Sequence, residues 1–195
     1  MKEGKSLYIK NFFKHLYRIN KHKWIVFKLS IKAGIPFRGI MHDMSKYSFI
    51  EFFEGVKYYN ESGSPISKCK KENGYSKAWL HHKGRNKHHF EYWYDVAIKD
   101  KSILMPYKYT IEMICDTLAA SIVYNGKNWK NTNPLEYFNN RNDKEYVNEK
   151  ILLIQEEVYK LVASDGIEKT VNKKKLKEIY YKHVGAENKN SSKIR

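Results

Sequence analysis

Apolar side chains recur every three or four residues through most of this 195-residue chain, and no segment alternates apolar and polar residues as a half-buried strand does. The period is clearest in residues 6–33, which are followed by Gly34 and Pro36. A glycine and then a proline are typical of a helix end. A second helix is predicted between Pro106 and Gly126. We therefore predict an all-α fold.

The remaining predicted helices are shorter. Ser48 and Glu51 form a capping-box pattern, in which a serine caps the backbone and an acid follows three residues later. An interruption of the first helix near Asn20 stays open at this point. The further helices that we predict cover residues 40–46, 48–59, 76–84, 88–98, 144–164 and 168–183, and the predicted loops cover 60–74 and 127–133.

The length suits one domain with a substantial hydrophobic core, because 42% of the residues are apolar. We expect residues 1–126 to form the helical core of this domain. Residues 127–185 are expected to add helices that pack on the same domain, and residues 186–195 to form a flexible tail.

Several classes of protein are excluded by what the sequence lacks. Mean hydropathy is −0.72, and no apolar run approaches the roughly 20 residues of a membrane span. The first residues lack the apolar region and the cleavage site of a signal peptide. Cys69 and Cys115 are the only cysteines, which is too few for a disulfide scaffold. We therefore expect a cytoplasmic protein without a transmembrane segment.

The net charge of +16 is placed mainly at the two ends of the chain. Residues 1–38 carry ten Lys or Arg against one acid, and residues 167–195 carry nine against three. The middle segment, residues 39–166, carries 18 against 17 and is almost neutral. Such basic ends favour anionic partners, including nucleic acid, although solubility alone is an equally good interpretation.

The histidines are the most informative residues for function. Six of the eight lie between His22 and His89, and they include the adjacent pairs 81–82 and 88–89. Asp116 lies in a helix that is otherwise apolar, where an unpaired carboxylate is costly. Imidazole and carboxylate are the usual ligands of divalent transition metals. We therefore predict a site for one or two ions of Mn, Fe, Zn, Co or Ni.

The segment His42-Asp43-Met44-Ser45-Lys46 resembles the His-Asp-x-Gly-Lys motif of the HD-domain superfamily, with Ser45 in place of glycine. The resemblance implies an HD-like helical bundle, here with additional C-terminal helices. It also implies that Lys46 faces a substrate phosphate. The metal ligands that it implies are His22, His42, Asp43 and Asp116, with His82 and His88 or His89 at a second ion.

The first ligand and the histidine pairs stay open, because His15 lies seven residues before His22 on the same helix face. Neighbouring residues of a helix point in different directions, so His81 competes with His82 as a ligand, and His88 with His89.

A closer resemblance covers roughly residues 15–125. The pattern His-x-x-x-Asn-x-His-His, matched here by His82, Asn86, His88 and His89, is similar to that of an uncharacterised bacterial family known only as a domain of unknown function. That family has no assigned reaction. The resemblance therefore supports homology and does not specify a substrate.

Together these features predict a metal-dependent phosphohydrolase that acts on a nucleotide or another anionic phosphate ester through metal-activated water. Asp43, Lys46 and Glu112 are the predicted catalytic residues, although Glu112 can instead pair with Lys108. The predicted substrate-binding residues are Lys46, Arg85, Asn86 and Lys87, of which Arg85 and Lys87 can also be plain surface charge.

Two alternatives remain at this stage. One is a di-iron redox enzyme on the same helical frame, and the other is a basic protein that binds nucleic acid and has a structural metal site. The sequence leaves the oligomeric state open.

Overall fold

The computed structural model describes residues 2–61 and 63–185, and within them the protein is all-α, as predicted, with no β-strand. Short 3₁₀ turns lie at Met44–Tyr47, Phe90–Trp93, Gly126–Asn128 and Lys144–Tyr146. The predicted flexible tail lies outside the described residues. The ten helices of the described residues are α1 (Lys2–Lys32), α2 (Pro36–Met41), α3 (Phe49–Lys57), α4 (Pro65–Asn73), α5 (Lys77–Arg85), α6 (Tyr107–Asn125), α7 (Asn133–Asn140), α8 (Glu149–Asp165), α9 (Ile167–Thr170) and α10 (Lys173–Val184).

Helix α6 lies at the centre of the main hydrophobic core. Ile111, Ile114 and Leu118 on α6 are fully buried, and they belong to the same cluster as Ile154 of α8 and Leu176 of α10. Complete burial of such a side chain contributes roughly 1.5–3 kcal/mol. The helices that follow residue 126 therefore share a core with those that precede it. No helix among the described residues could span a bilayer.

Helix α1 runs without interruption through Asn20, and it ends at Lys32 just before Gly34, whose φ is 77°. One face of α1 is buried, because His15, Ile19, His22, Val26 and Leu29 recur at helical spacing and pack inward. This long helix therefore contributes both to the core and to the histidine cluster described below.

Two short helices lie where the sequence analysis predicted none. Helix α4 lies within the predicted loop 60–74, where Pro65 begins the helix and Gly74 ends it with a φ of 79°. Proline at the first position and glycine just after the last are a normal helix signature, which the many polar residues of this segment obscured. The short helix α7, begun by Asn133 and Pro134, was also missed.

The predicted helix over residues 88–98 is wrong, because only Phe90–Trp93 forms a 3₁₀ turn there. The Asn86 amide bonds to the carbonyl oxygen of His82 at 2.9 Å, which closes α5. The chain then makes a turn, in which the backbone amide of His89 donates to the carbonyl oxygen of Asn86 at 3.1 Å, and His89 itself has φ −83° and ψ 130°. The side chains of His88 and His89 can therefore point to the same site, whereas adjacent side chains on a helix point in different directions.

The predicted helix over residues 40–46 is also interrupted. Helix α2 ends at Met41, His42 leaves the helix with φ −53° and ψ 128°, and Asp43 takes the left-handed conformation with φ 53° and ψ 30° before the next turn begins. A left-handed residue other than glycine costs about 1–2 kcal/mol, unless local contacts compensate. The side chains of His42 and Asp43 are almost completely buried here, so the break serves their placement.

Gly55 of α3 is required by the close approach of α1. A Cβ atom at Gly55 would lie 2.1 Å from Nε2 of the buried His15. We expect Gly55→Ala to lower the free energy of unfolding by about 2 kcal/mol, since the rigid ring has to move. Gly84→Ala on α5 is the control, because its Cβ would meet nothing within 4 Å and alanine favours a helix. Urea unfolding of both variants checks this, and equal stabilities would contradict it.

Candidate metal centre

Five segments of the chain bring imidazole and carboxylate groups to one buried place. Helix α1 contributes His22, the break after α2 contributes His42 and Asp43, α5 contributes His82, and the turn after α5 contributes His88 and His89. Helix α6 contributes Asp116 and, one turn earlier, Glu112. All seven predicted metal ligands are therefore brought together, and Glu112 lies beside them.

The first donor set consists of His22, His42, Asp43 and Asp116. Nε2 of His22 lies 2.9 Å from Oδ1 of Asp116 and 3.3 Å from Nε2 of His42. Nε2 of His42 lies 3.2 Å from Oδ2 of Asp43 and 3.5 Å from Oδ1 of Asp116. His22 is the member that α1 supplies to this donor set, and His15 is outside it.

The second donor set consists of Asp43, His82, His88 and His89. Oδ1 of Asp43 lies 3.2 Å from Nε2 of His82 and 3.4 Å from Nε2 of His88. The rings of His88 and His89 are 4.2 Å apart, and both belong to this set. Asp43 thus offers one oxygen to each donor set, as a carboxylate shared by two ions would.

The chemistry of these donors fits a metal ion. Oδ1 of Asp43 and Nε2 of His88 lie 3.4 Å apart, and both atoms are buried and have no hydrogen bond among the described residues. Buried polar atoms are rarely left in this state. Ligand atoms around a tetrahedral ion with bonds of about 2.0–2.1 Å lie roughly 3.3 Å apart, which matches the distances above. The buried groups can therefore hold a metal ion.

Glu112 contacts one histidine of each donor set, at the ring nitrogen that does not face Asp43. Its Oε1 lies 3.2 Å from Nδ1 of His42 and 3.4 Å from Nδ1 of His88, and its Oε2 accepts a hydrogen bond of 2.6 Å from Nε of Arg38. Burial raises the pKa of Glu112, but the hydrogen bonds from His42, His88 and Arg38 outweigh it and lower that pKa to about 2. The ionised carboxylate orients both rings so that each Nε2 faces Asp43.

Glu51 plays the same part for the histidines of α5. Its Oε2 lies 2.7 Å from Nδ1 of His82, and its Oε1 lies 2.5 Å from Nδ1 of His81. His82 is therefore the member of its pair that faces Asp43, and His81 is held by Glu51. The backbone of Glu51 also donates to the side chain of Ser48 at 3.4 Å, so this half of the predicted capping box is confirmed.

Asn86 and Ser45 complete this side of the site. The Asn86 amide donates to Oγ of Ser45 at 2.7 Å, and that hydroxyl lies 3.2 Å from Nδ1 of His82. Arg38 and Glu51 were missed by sequence reasoning. The only signal for Glu51 was a cap pattern, and Arg38 is one basic residue among many, so nothing local marked either of them.

A cavity of about 640 Å³ opens beside the two donor sets. Asp43, Lys46, His88 and Asp116 line it at the metal side. His15 also lines it, and burial followed by the positive charges of Lys46 and Arg18 lowers the pKa of His15 to about 4, so this ring is neutral at pH 7. A volume of this size holds a small organic ligand.

The remaining predicted substrate-binding residues lie outside the lining of this cavity. Arg85 is exposed at the end of α5, and Nζ of Lys87 lies 5.4 Å from the ring centre of Tyr92. Glu112 is fully buried behind His42 and His88 and does not line the cavity either. Its carboxylate pairs with Arg38 and not with Lys108, the alternative partner that the sequence left open. Arg18, Lys70 and Arg141 also line the cavity, and the predictions did not include these three cations.

Metal binding is expected to become stronger as the pH rises from 6.5 to 9. Burial lowers the pKa of His82, but Asp43 and Glu51 outweigh it and raise that pKa to about 9. In the metal-free protein this raised pKa stabilises the fold below pH 6.5, and the contribution is lost as the pH rises through 9. A metal needs the neutral ring, so the rise in melting temperature on metal addition is expected to be larger at pH 9 than at pH 6.5. Thermal unfolding with and without Zn²⁺ at the two pH values measures this, and a smaller rise at pH 9 would contradict it.

Comparison with known proteins identifies a family for the chain and no function. A search of the curated proteins and a search of the solved structures each found no match. A family model described as a family of unknown function matches residues 11–163, which include every residue of the two donor sets. The chain therefore belongs to this family of unknown function, DUF5662.

Proposed function

We propose that the protein is a metal-dependent phosphohydrolase of the HD-domain type that acts on a nucleotide or another phosphate ester. The single observation that carries the proposal is the shared carboxylate of Asp43, which faces a different donor set with each oxygen while Lys46 and an open cavity lie beside it. A divalent ion bound there would lower the pKa of water and neutralise charge on phosphate oxygens.

The residues of the chain divide this work in the proposal. His22, His42 and Asp116 hold the first ion with Asp43, and His82, His88 and His89 hold the second. Arg38 and Glu112 keep the rings of His42 and His88 in the required tautomer, so Glu112 is a positioning residue.

Lys46 is the proposed contact to the substrate phosphate. Its ammonium is paired with Asp43, lines the cavity and has a side chain that is 27% exposed. Burial lowers the pKa of Lys46, but the carboxylates of Asp43 and Asp116 outweigh it and raise that pKa above its ordinary value, so the group stays charged. A fixed positive charge at the mouth of the site favours an anionic substrate.

Hydrolysis of a phosphate panel by the reconstituted protein tests the proposal. The chain is stripped of metal, loaded in turn with Mn²⁺, Co²⁺, Ni²⁺, Zn²⁺, Fe²⁺ or Mg²⁺, and incubated with nucleotides, other phosphomonoesters and phosphodiesters. We expect phosphate release with at least one metal and none without metal. Lys46→Gln is expected to lower kcat/KM about 100-fold, since one preorganised charge contributes roughly 2.7–4 kcal/mol.

Lys108→Gln, on the first turn of α6, is the control for Lys46→Gln and is expected to retain full activity. The same preparations are assayed for oxygen consumption after iron loading, because imidazole and carboxylate ligands also suit iron. Oxygen consumption without any phosphate release would overturn the proposal in favour of redox chemistry. Activity that survives Asp43→Asn would show that the hydrolysis arises elsewhere.

A further inference from the structure

We infer that the exposed face of α1 binds an anionic phospholipid surface. The inference is independent of the proposed function. It is based on an apolar stripe of Ile9, Phe13, Tyr17, Trp24 and Ile31, each at least half exposed, with exposures from 51% to 68%. Spacings of four, four, seven and seven residues place these side chains along one face of the helix, over about 33 Å.

The residues of the apolar stripe belong to neither hydrophobic core cluster of the described chain. The opposite face of α1, which carries Ile19, Val26 and Leu29, already makes the contacts of the helix with the core. A large contiguous patch of exposed apolar side chains is typical of a binding surface. An edge-to-face aromatic contact extends the stripe sideways, since the rings of Phe13 and Phe12 are 5.4 Å apart.

A lysine row of Lys10, Lys14, Lys21, Lys28 and Lys32 runs along one flank of the apolar stripe. Lys14 pairs with Glu61 and Lys32 with Glu168, and no ion pair is found for the other three among the described residues. The ammonium of Lys28 lies 5.9 Å from the ring centre of Trp24, so the row and the stripe are in contact. Between Glu3 and Asp43 the sequence has no acid at all.

These features favour a lipid surface over the other anionic partners. Lysines beside tryptophan, tyrosine and aliphatic side chains are typical of helices that lie in the headgroup region, where the ammonium groups meet lipid phosphates. A second copy of α1 would bring two lysine rows together. Nucleic acid would contact the lysines but would not bind Ile9 and Ile31, because aliphatic side chains cannot stack on bases.

Sedimentation of the whole protein with lipid vesicles tests the inference. We expect binding to vesicles of phosphatidylcholine with about 30% phosphatidylglycerol to be at least ten-fold stronger than to phosphatidylcholine alone. The combined variant Lys10→Gln, Lys21→Gln, Lys28→Gln is expected to bind about 100-fold more weakly. The combined variant Phe13→Ser, Tyr17→Ser, Trp24→Ser is expected to bind at least ten-fold more weakly, because the apolar contact is lost.

The matched control is Val96→Ser with Lys99→Gln, an exposed apolar and basic pair far along the chain, which is expected to bind like the parent protein. Circular dichroism and the melting temperature establish that each variant is folded. Equal binding to neutral and anionic vesicles would overturn the inference, and so would unchanged binding of the serine variant. Salt-sensitive DNA binding without vesicle binding would assign the lysine row to nucleic acid, and dimerisation abolished by the serine variant would assign the stripe to a second copy.

Discussion

Asp43→Asn is expected to abolish metal binding at both donor sets. Asp43 is the only residue that the two sets share, and each of its oxygens faces different histidines. We expect the affinity for Zn²⁺ or Mn²⁺ to fall at least 1,000-fold, or roughly 4 kcal/mol, because a charged ligand is lost rather than a supporting group. Titration calorimetry and the metal content of the dialysed protein measure this loss.

Asparagine is the informative substitution because of the backbone at this position. Asp43 has a φ of 53°, and asparagine tolerates that region while most other side chains are strained there. A fall in metal content therefore reports the carboxylate and not a refolded turn. Asp100→Asn, at an exposed position, is the control and is expected to keep its metal. Parent-like metal content in Asp43→Asn would refute the shared-carboxylate arrangement.

Glu112→Gln is expected to weaken metal binding at both donor sets by 10- to 100-fold, although this residue touches neither proposed ion. Supporting carboxylates behind metal-bound histidines have effects of about this size. One glutamate supports His42 and His88, which belong to different sets, so both affinities are expected to fall together. Arg38→Gln is expected to have a smaller effect in the same direction, since Arg38 acts only on Glu112.

The metal affinity of Glu112→Gln distinguishes a positioning role of Glu112 from a purely structural role. Loss of a buried partner lowers the melting temperature of the metal-free protein in either case. Only a positioning role also raises the Kd for the metal at a temperature where the variant is fully folded. Glu156→Gln, which removes an i to i+4 ion pair with Lys160 on the surface of α8, is the control. An unchanged Kd in folded Glu112→Gln would refute the positioning role.

Much of the candidate site follows from the sequence. Imidazole and carboxylate side chains are the usual ligands of divalent metals, and the resemblance to His-Asp metal proteins connected His42 and Asp43 to the distant Asp116. All the ligands so predicted lie in the two donor sets. The long helices around this site could also be predicted from the sequence, because apolar residues recur every three or four positions over many turns in α1 and α6.

Other parts of the site could not be predicted locally. His88 and His89 both belong to the second donor set because the chain leaves the helix at Asn86 and forms a turn, whereas a helix would have turned one of them away. Asn86 ends α5, so the chain has left the helix before it reaches His88. In the sequence alone, however, an asparagine at this position is also compatible with the interior of a helix. The short helices α4 and α7 were missed for a related reason, since few apolar residues face the core in segments of eight or nine residues.

The sequence by itself determined the helical class, the donor types and the candidate ligands, because hydrophobic period and ligand chemistry are properties of the residues. Only the tertiary structure decided between His15 and His22, and only there did Arg38 and Glu51 appear as supports for the ligands. Such choices depend on the direction of each side chain after packing. His15 and His22 share one helix face, but His15 lies against Gly55, while His22 faces Asp116 at 2.9 Å.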